Sequence, residues 1–347
     1  MSADFIPSFE RFNYMLRTNK HIERKLVFDL LAAAAQKLSF SNHWYLGFGS
    51  MWFGDFRLAD RLLGIEKMIS IERAEYAERA NFNRPLAGII VCPGESNAVL
   101  ENMDAAEWKY PVVAWLDYDG KLNEDVVKDI AVLLQNAAIN SVVVITVNAC
   151  FSSYRARTVG AKRARAQTAV GLVENYLGSA AIASKYEPTE KSPGAFADSV
   201  KESSFPAILS EAMLTYMEHN AVNLAREHSG QRMKFVPLYR LHHKDGVDMI
   251  TVGGVMTTDT ESEVWGKCLN DNTILSEASG KPVYRRLDLI PVTIKEKITL
   301  DTCLPESSGD AAYIANAKAV GIKLSDDEMS KYRKFYRHFP VFVETPM

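Results

Sequence analysis

An α/β fold with a doubly wound, mostly parallel sheet is predicted by three observations. The runs "GIIV", "VVAWL" and "VVVITV" are continuously apolar, segments of helical period alternate with them, and two apolar arms flank Lys244-Asp245-Gly246. Unbroken apolar runs suit parallel strands covered on both faces, and helices between them imply right-handed crossovers. Asp-Gly tolerates the positive φ of a tight turn, so the last pair reads as an antiparallel hairpin closing the sheet.

Ile22, Leu26, Leu30 and Ala33 recur at helical spacing among charges, which predicts a covering helix over about 20–38. A strand at 43–46, a helix at 53–63 and strands at 68–71, 88–91 and 112–116 follow. The helix at 124–136 carries Val126, Ile130, Leu133 and Leu134 on one stripe, with Glu124 and Asp125 in the first turn where the helix dipole favours carboxylates. A strand at 142–147, a Pro/Ser/charge-rich loop, a helix at about 207–227 and the hairpin come next. Near the C-terminus Ser325 and Glu328 have the spacing of a capping box, opening a last helix. The expected organisation is a covering helix (1–38), an α/β domain (39–256) and a mainly helical extension (257–347).

The 347 residues are 47% hydrophobic and 24% charged, with a formal net charge of −3, which provides apolar material for a large core and no global nucleic-acid signature. No uninterrupted apolar run of transmembrane length occurs, and the N-terminus lacks the order of a signal peptide, so the expected location is cytoplasmic, with no membrane partner. Cys92, Cys150, Cys268 and Cys303 form no CxxC pair, which argues against a zinc cluster or a disulfide framework.

Parallel α/β sheets bind ligands at the carboxyl ends of their strands. After the first strand stands Gly47-Phe48-Gly49-Ser50, where two glycines admit close backbone approach and Ser50 is placed to start a helix. Glu72 ends the second strand, "CPGES" with Gly94 and Glu95 follows the third, and "DYDG" with Asp117 and Asp119 follows the fourth. The third glycine of a dinucleotide fingerprint is replaced by Trp52, so a cofactor without a pyrophosphate fits better.

This order of features resembles the class I S-adenosylmethionine-dependent methyltransferase superfamily over roughly 38–256. Through "LRTNKHIERK", "GFGSMWFGDF", "LGIEKMISIE" and "WLDYDG" the chain also resembles a group of bacterial O-methyltransferases. The resemblance implies S-adenosylmethionine as cofactor, with Gly47, Gly49 and Ser50 by its methionine part, Glu72 on the ribose hydroxyls and Gly94 or Glu95 near the adenine. It further implies that Asp117 or Asp119 borders the methyl-transfer site. Two departures stand out: Tyr45 occupies the position of an expected acid, with Asp55 either a substitute or a residue that caps or pairs locally, and Met51 replaces a glycine and is expected to crowd the cleft.

Methyl transfer needs positioned reactants and, for an alcohol or amine, removal of a proton. Asp117 and Asp119 are the candidate bases or orienting groups, without an evident third oxygen ligand for a metal. Asn148 is placed to hydrogen-bond substrate or its neighbouring loop. Arg155, Arg157, Lys162, Arg163 and Arg165, beside Phe151 and Tyr154, make a cluster suited to phosphates and unpaired bases, or else a solvated face. His242 and His243 read as exposed residues beside the hairpin turn. The sequence thus leaves three readings: a methyltransferase acting on an oxygen nucleophile or nucleic acid, an inactive relative that senses a ligand or binds a partner protein, and a nucleic-acid binder.

Overall fold

Alternation along one strand shows how the sheet divides the molecule. Val113 and Trp115 pack into one apolar cluster, while Val112, Ala114 and Leu116 pack into the other, as the two-residue period of a strand requires. The computed structural model describes residues 17–155, 167–186, 189–192, 195–276 and 280–340.

In chain order the N-terminal part comprises α1 (Thr18–Ala35), β1 (Trp44–Gly47), α2 (Gly54–Leu63), β2 (Lys67–Glu72), α3 (Ala74–Asn83), β3 (Ile89–Pro93), α4 (Ser96–Asn102), β4 (Val112–Lys121), α5 (Glu124–Asn136) and β5 (Val142–Asn148). Next are α6 (Ala169–Leu177), the short β6 (Thr189–Ser192) and β7 (Ala195–Ala197), α7 (Phe205–Asn223), and the two-residue β8 (Glu227–His228) and β9 (Gln231–Arg232). The chain ends with β10 (Lys234–Lys244), β11 (Asp248–Thr257), α8 (Asp259–Asp271), β12 (Arg285–Leu287), α9 (Ile294–Thr302), α10 (Asp310–Ala319) and α11 (Asp326–Phe335).

The main sheet has the order β12-β10-β11-β5-β4-β1-β2-β3. β1 to β5 are mutually parallel, and β11 is antiparallel to both β5 and β10. This is the doubly wound methyltransferase-type sheet with its late hairpin. The hairpin does not close it, however: β12 pairs parallel with β10 outside it, and three residues are too few to show a periodic signal.

α3 and α4 are absent from the sequence expectation because their apolar stripes are minimal. Ala80 is the one buried residue of α3 and Leu100 that of α4. α5 matches its predicted span, and Asn123 caps it by accepting a bond from Val126 N. Ser325 and Glu328 form a reciprocal capping box at α11. One face of the sheet carries Ile22 and Leu26 of α1, Phe56 of α2, Trp265 of α8, and Tyr313, Tyr332 and Phe339 of the C-terminal part in a single cluster. The three sequence segments therefore share a core. Among the described residues no helix is long and apolar enough to cross a membrane.

Candidate active site

Sheet register sets the candidate residues side by side. Gly47 of β1 lies between Ser70 of β2 and Trp115 of β4. Glu72 and Asp117 each stand two residues further along, so they flank the end of β1 from opposite sides. Beyond β2, Pro93 pairs with Glu72 and the chain turns at Gly94. These strand ends open on a cleft of about 670 Å³ whose walls include Phe48, Ser50, Glu72, Gly94, Glu95, Asp117, Tyr118 and Asp119.

The glycine turn is tied to the second strand. Gly49 N donates to Ser70 Oγ (3.0 Å), the Ser70 hydroxyl donates to Glu72 Oε1 (2.7 Å), and Ser50 N donates to the same oxygen (2.8 Å). Burial holds the Glu72 carboxyl above its usual range, although Ser70 and the turn amides pull it down. A Cβ on Gly49 would lie 2.3 Å from the Phe53 ring and 2.6 Å from Ser70 Oγ, so this position tolerates no side chain. Ser50 does not start α2 as expected. It adopts φ 52°, Phe53 adopts φ 48°, and the helix begins at Gly54. Met51 is not among the residues that line the cleft, and neither are Gly47 and Gly49.

Tyr45 and Asp55 form a buried pair beneath the turn. The phenol donates to Asp55 Oδ2 at 2.6 Å, and Tyr45 is fully buried. Burial pushes both groups upward, the phenol further because a carboxylate faces it.

The opposite wall hangs on Asp129, a fully buried residue of α5. Its carboxylate accepts bonds from the hydroxyls of Ser96 and Tyr118 and from the Asn97 amide. All three donors line the cleft. Burial raises the Asp129 carboxyl against the pull of these donors. Sequence reading missed it; Asp on an otherwise apolar stripe of α5 was the available signal.

At the β4 end, Lys20 of α1 reaches Asp117 through both carboxylate oxygens (2.9 and 2.8 Å) and meets Glu23 at 2.8 Å. Glu23 in turn bonds His243 Nδ1 at 2.9 Å. Burial alone would lower the Lys20 ammonium, but Asp117 and Glu23 override it and hold it above its ordinary value. Glu23 is likewise held well below the usual carboxylate range by His243 and Lys20, in spite of burial.

A family model described as "Putative O-methyltransferase" matches residues 12–347. The chain belongs to this family. No curated protein sequence matches it. Among solved structures, Trm1 from Pyrococcus horikoshii in complex with S-adenosyl-L-methionine is similar at 9% identity, with 93% of this chain and 76% of that chain covered and a TM-score of 0.44. A putative S-adenosylmethionine dependent methyltransferase from Listeria monocytogenes is similar at 8% identity, with 65% and 99% covered and a TM-score of 0.36.

Of the remaining candidates of this O-methyltransferase-family chain, Asn148 and Arg155 are described and neither is among the residues that line the cleft. Asn148 Oδ1 accepts a bond from Cys150 N (2.8 Å), and its carbonyl accepts one from the Tyr154 hydroxyl (2.7 Å), so both oxygens serve the turn after β5. Arg155 pairs with Asp198 at 3.0 Å and stacks over Phe151. Arg157, Lys162, Arg163 and Arg165 lie outside the described residues. Phe151 and Tyr154 are buried against Phe205, which removes them as stacking partners for bases. His242 and His243 are buried too, contrary to the sequence expectation. They belong to β10 rather than to the turn, and His242 spans Asp248 (2.9 Å) and the Tyr284 hydroxyl (2.7 Å).

Proposed function

We propose that the chain is a cytoplasmic S-adenosylmethionine-dependent methyltransferase acting on an oxygen nucleophile. The observation that carries this reading is the cleft across the ends of β3, β2, β1 and β4, with Glu72 at its middle and Asp117 at one end. Adjacent strands lie about 4.8 Å apart, so four strand ends span roughly 14 Å, the reach of an extended nucleoside joined to an amino acid. The lining is also electrostatically suited: Glu72, Glu95, Asp117, Asp119 and Asp125 face Arg73 and Lys121. An anionic cleft favours a ligand that carries an ammonium, a sulfonium and one carboxylate.

In this reading the Gly94–Asn97 turn lies along the adenine and Glu72 accepts from the ribose hydroxyls through a carboxylate already oriented by Ser70 and Ser50. Bound there, S-adenosylmethionine supplies an electrophilic methyl group. The protein's own work is positioning and proton removal. Asp117 orients the amino-acid end, and Asp119, exposed on the β4 extension, takes the proton of the acceptor hydroxyl. The cytoplasmic placement is supported by the four cysteines, all of them free thiols.

Calorimetric titration of the full chain with S-adenosylmethionine tests the reading. Saturable binding is expected, weakened by about tenfold or more in Glu72→Ala, since a hydrogen bond to a charged group is worth about 1.5–3 kcal/mol. Absence of binding at millimolar ligand overturns it.

A further inference from the structure

Position 45 cannot meet a ligand's ammonium group. It holds a fully buried tyrosine whose hydroxyl is committed to Asp55. Asp117 is an acid that borders the cleft across β1 from Glu72, and among the described residues it is the cleft acid gripped by a buried cation from α1. Two features of that grip bear on function. First, Lys20 uses both oxygens of Asp117, which fixes the carboxylate plane, yet each oxygen has a second lone pair able to accept another donor. Second, Asp117 side-chain exposure is 29%, against 4% for Lys20 and none for Glu23, so of the three charged groups Asp117 is the one that reaches the cleft.

We infer that Lys20 is a positioning residue for the amino-acid end of the cofactor: it holds Asp117 oriented to accept the ligand ammonium, in place of an acid at position 45. This makes the first turn of α1 part of the binding site rather than a cover for the sheet. Three further contacts fix that turn. Lys20 N donates to Asp245 Oδ2 (2.9 Å), Asn19 Nδ2 donates to Asp245 Oδ1 (2.9 Å), and Leu289 N donates to Asn19 Oδ1 (2.9 Å). The inference rests on the reading of the cleft as an S-adenosylmethionine site.

The test compares S-adenosylmethionine, S-adenosylhomocysteine and adenosine by calorimetry on the full chain. The first two carry the amino-acid arm and the third does not. Lys20→Met is expected to weaken both arm-bearing ligands about tenfold while changing adenosine affinity less than about twofold, and Lys20→Arg to recover most of the loss. A purely structural role would lower all three affinities together. Wild-type affinity for S-adenosylmethionine in folded Lys20→Met overturns the inference and leaves the methyltransferase reading standing. If Lys20→Met does not fold, Asp117→Asn decides: a selective loss of the arm-bearing ligands supports the inference and retained affinity overturns it. A wild-type chain that binds none of the three overturns the underlying reading and the inference with it.

Discussion

The Tyr45 hydroxyl donates a 2.6 Å hydrogen bond to Asp55 inside the core, and this pair commits both side chains to a structural contact. The tyrosine ring packs edge-on against Phe56 and tilts against Phe28, joining α1, β1 and α2 at the foot of the glycine turn. Burial without full charge compensation raises the Asp55 carboxyl. A carboxyl raised in the folded state adds most to stability below its unfolded value, and that contribution is lost as pH rises through the folded value. Asp55→Asn keeps an acceptor for Tyr45 and removes the titration. Its stability relative to wild type should therefore be more favourable at pH 7 than at pH 4, measured by urea unfolding. Tyr45→Phe removes the donor instead and should cost about 1–3 kcal/mol at neutral pH.

Asp129 gathers three donors from two separate cleft segments, the turn after β3 and the end of β4. Asp129→Ala leaves these groups without their acceptor, and a loss of about 2–4 kcal/mol in unfolding free energy is expected. Adenosine affinity should fall as well, because Ser96 and Asn97 form the wall assigned to the adenine. Asp129→Asn, which keeps one acceptor oxygen, should be intermediate in both measurements. Wild-type adenosine affinity in a folded Asp129→Ala would remove the turn after β3 from the binding site.

Much of the sheet and the strand-end acids were legible because both depend on local patterns. Unbroken apolar runs marked β3, β4 and β5, and an acid at the carboxyl end of an apolar run is visible in one dimension. What held those acids was not legible. Lys20 and Asp117 are 97 positions apart, and Glu23 and His243 are 220 apart, so Lys20 and Glu23 read only as charges on the covering helix and His243 as a turn histidine. Neighbouring histidines on a strand point to opposite faces, and here each face supplied a carboxylate. The detour through Ser50 and Phe53 was hidden for another reason: left-handed backbone at non-glycine residues has only weak sequence preferences.

Like His21, His43 is pushed by burial to a pKa of about 4 and so limits the fold on the acid side. It stacks on Phe40 with ring centroids 4.2 Å apart, and its Nε2 bonds the Asn140 carbonyl at 3.2 Å. A carbonyl only accepts, so Nε2 carries the proton, and Nδ1 is buried with no hydrogen-bond partner among the described residues. The ring is therefore neutral in the folded chain, and burial lowers its pKa to about 4 in spite of the Asn140 bond. A base depressed in the folded state contributes stability that is fully present above the unfolded value of about 6.5 and is lost as pH falls toward the folded one. A shift of that size corresponds to roughly 3 kcal/mol at full protonation of the unfolded chain. Unfolding free energy should thus decline from about pH 6.5 to pH 4, with His242, also lowered by burial, contributing in the same direction. His43→Leu should be less stable than wild type at pH 7, because it breaks the Asn140 bond, but its stability should fall less steeply over that interval. An equal slope in the two proteins would show that His43 is not the titrating group.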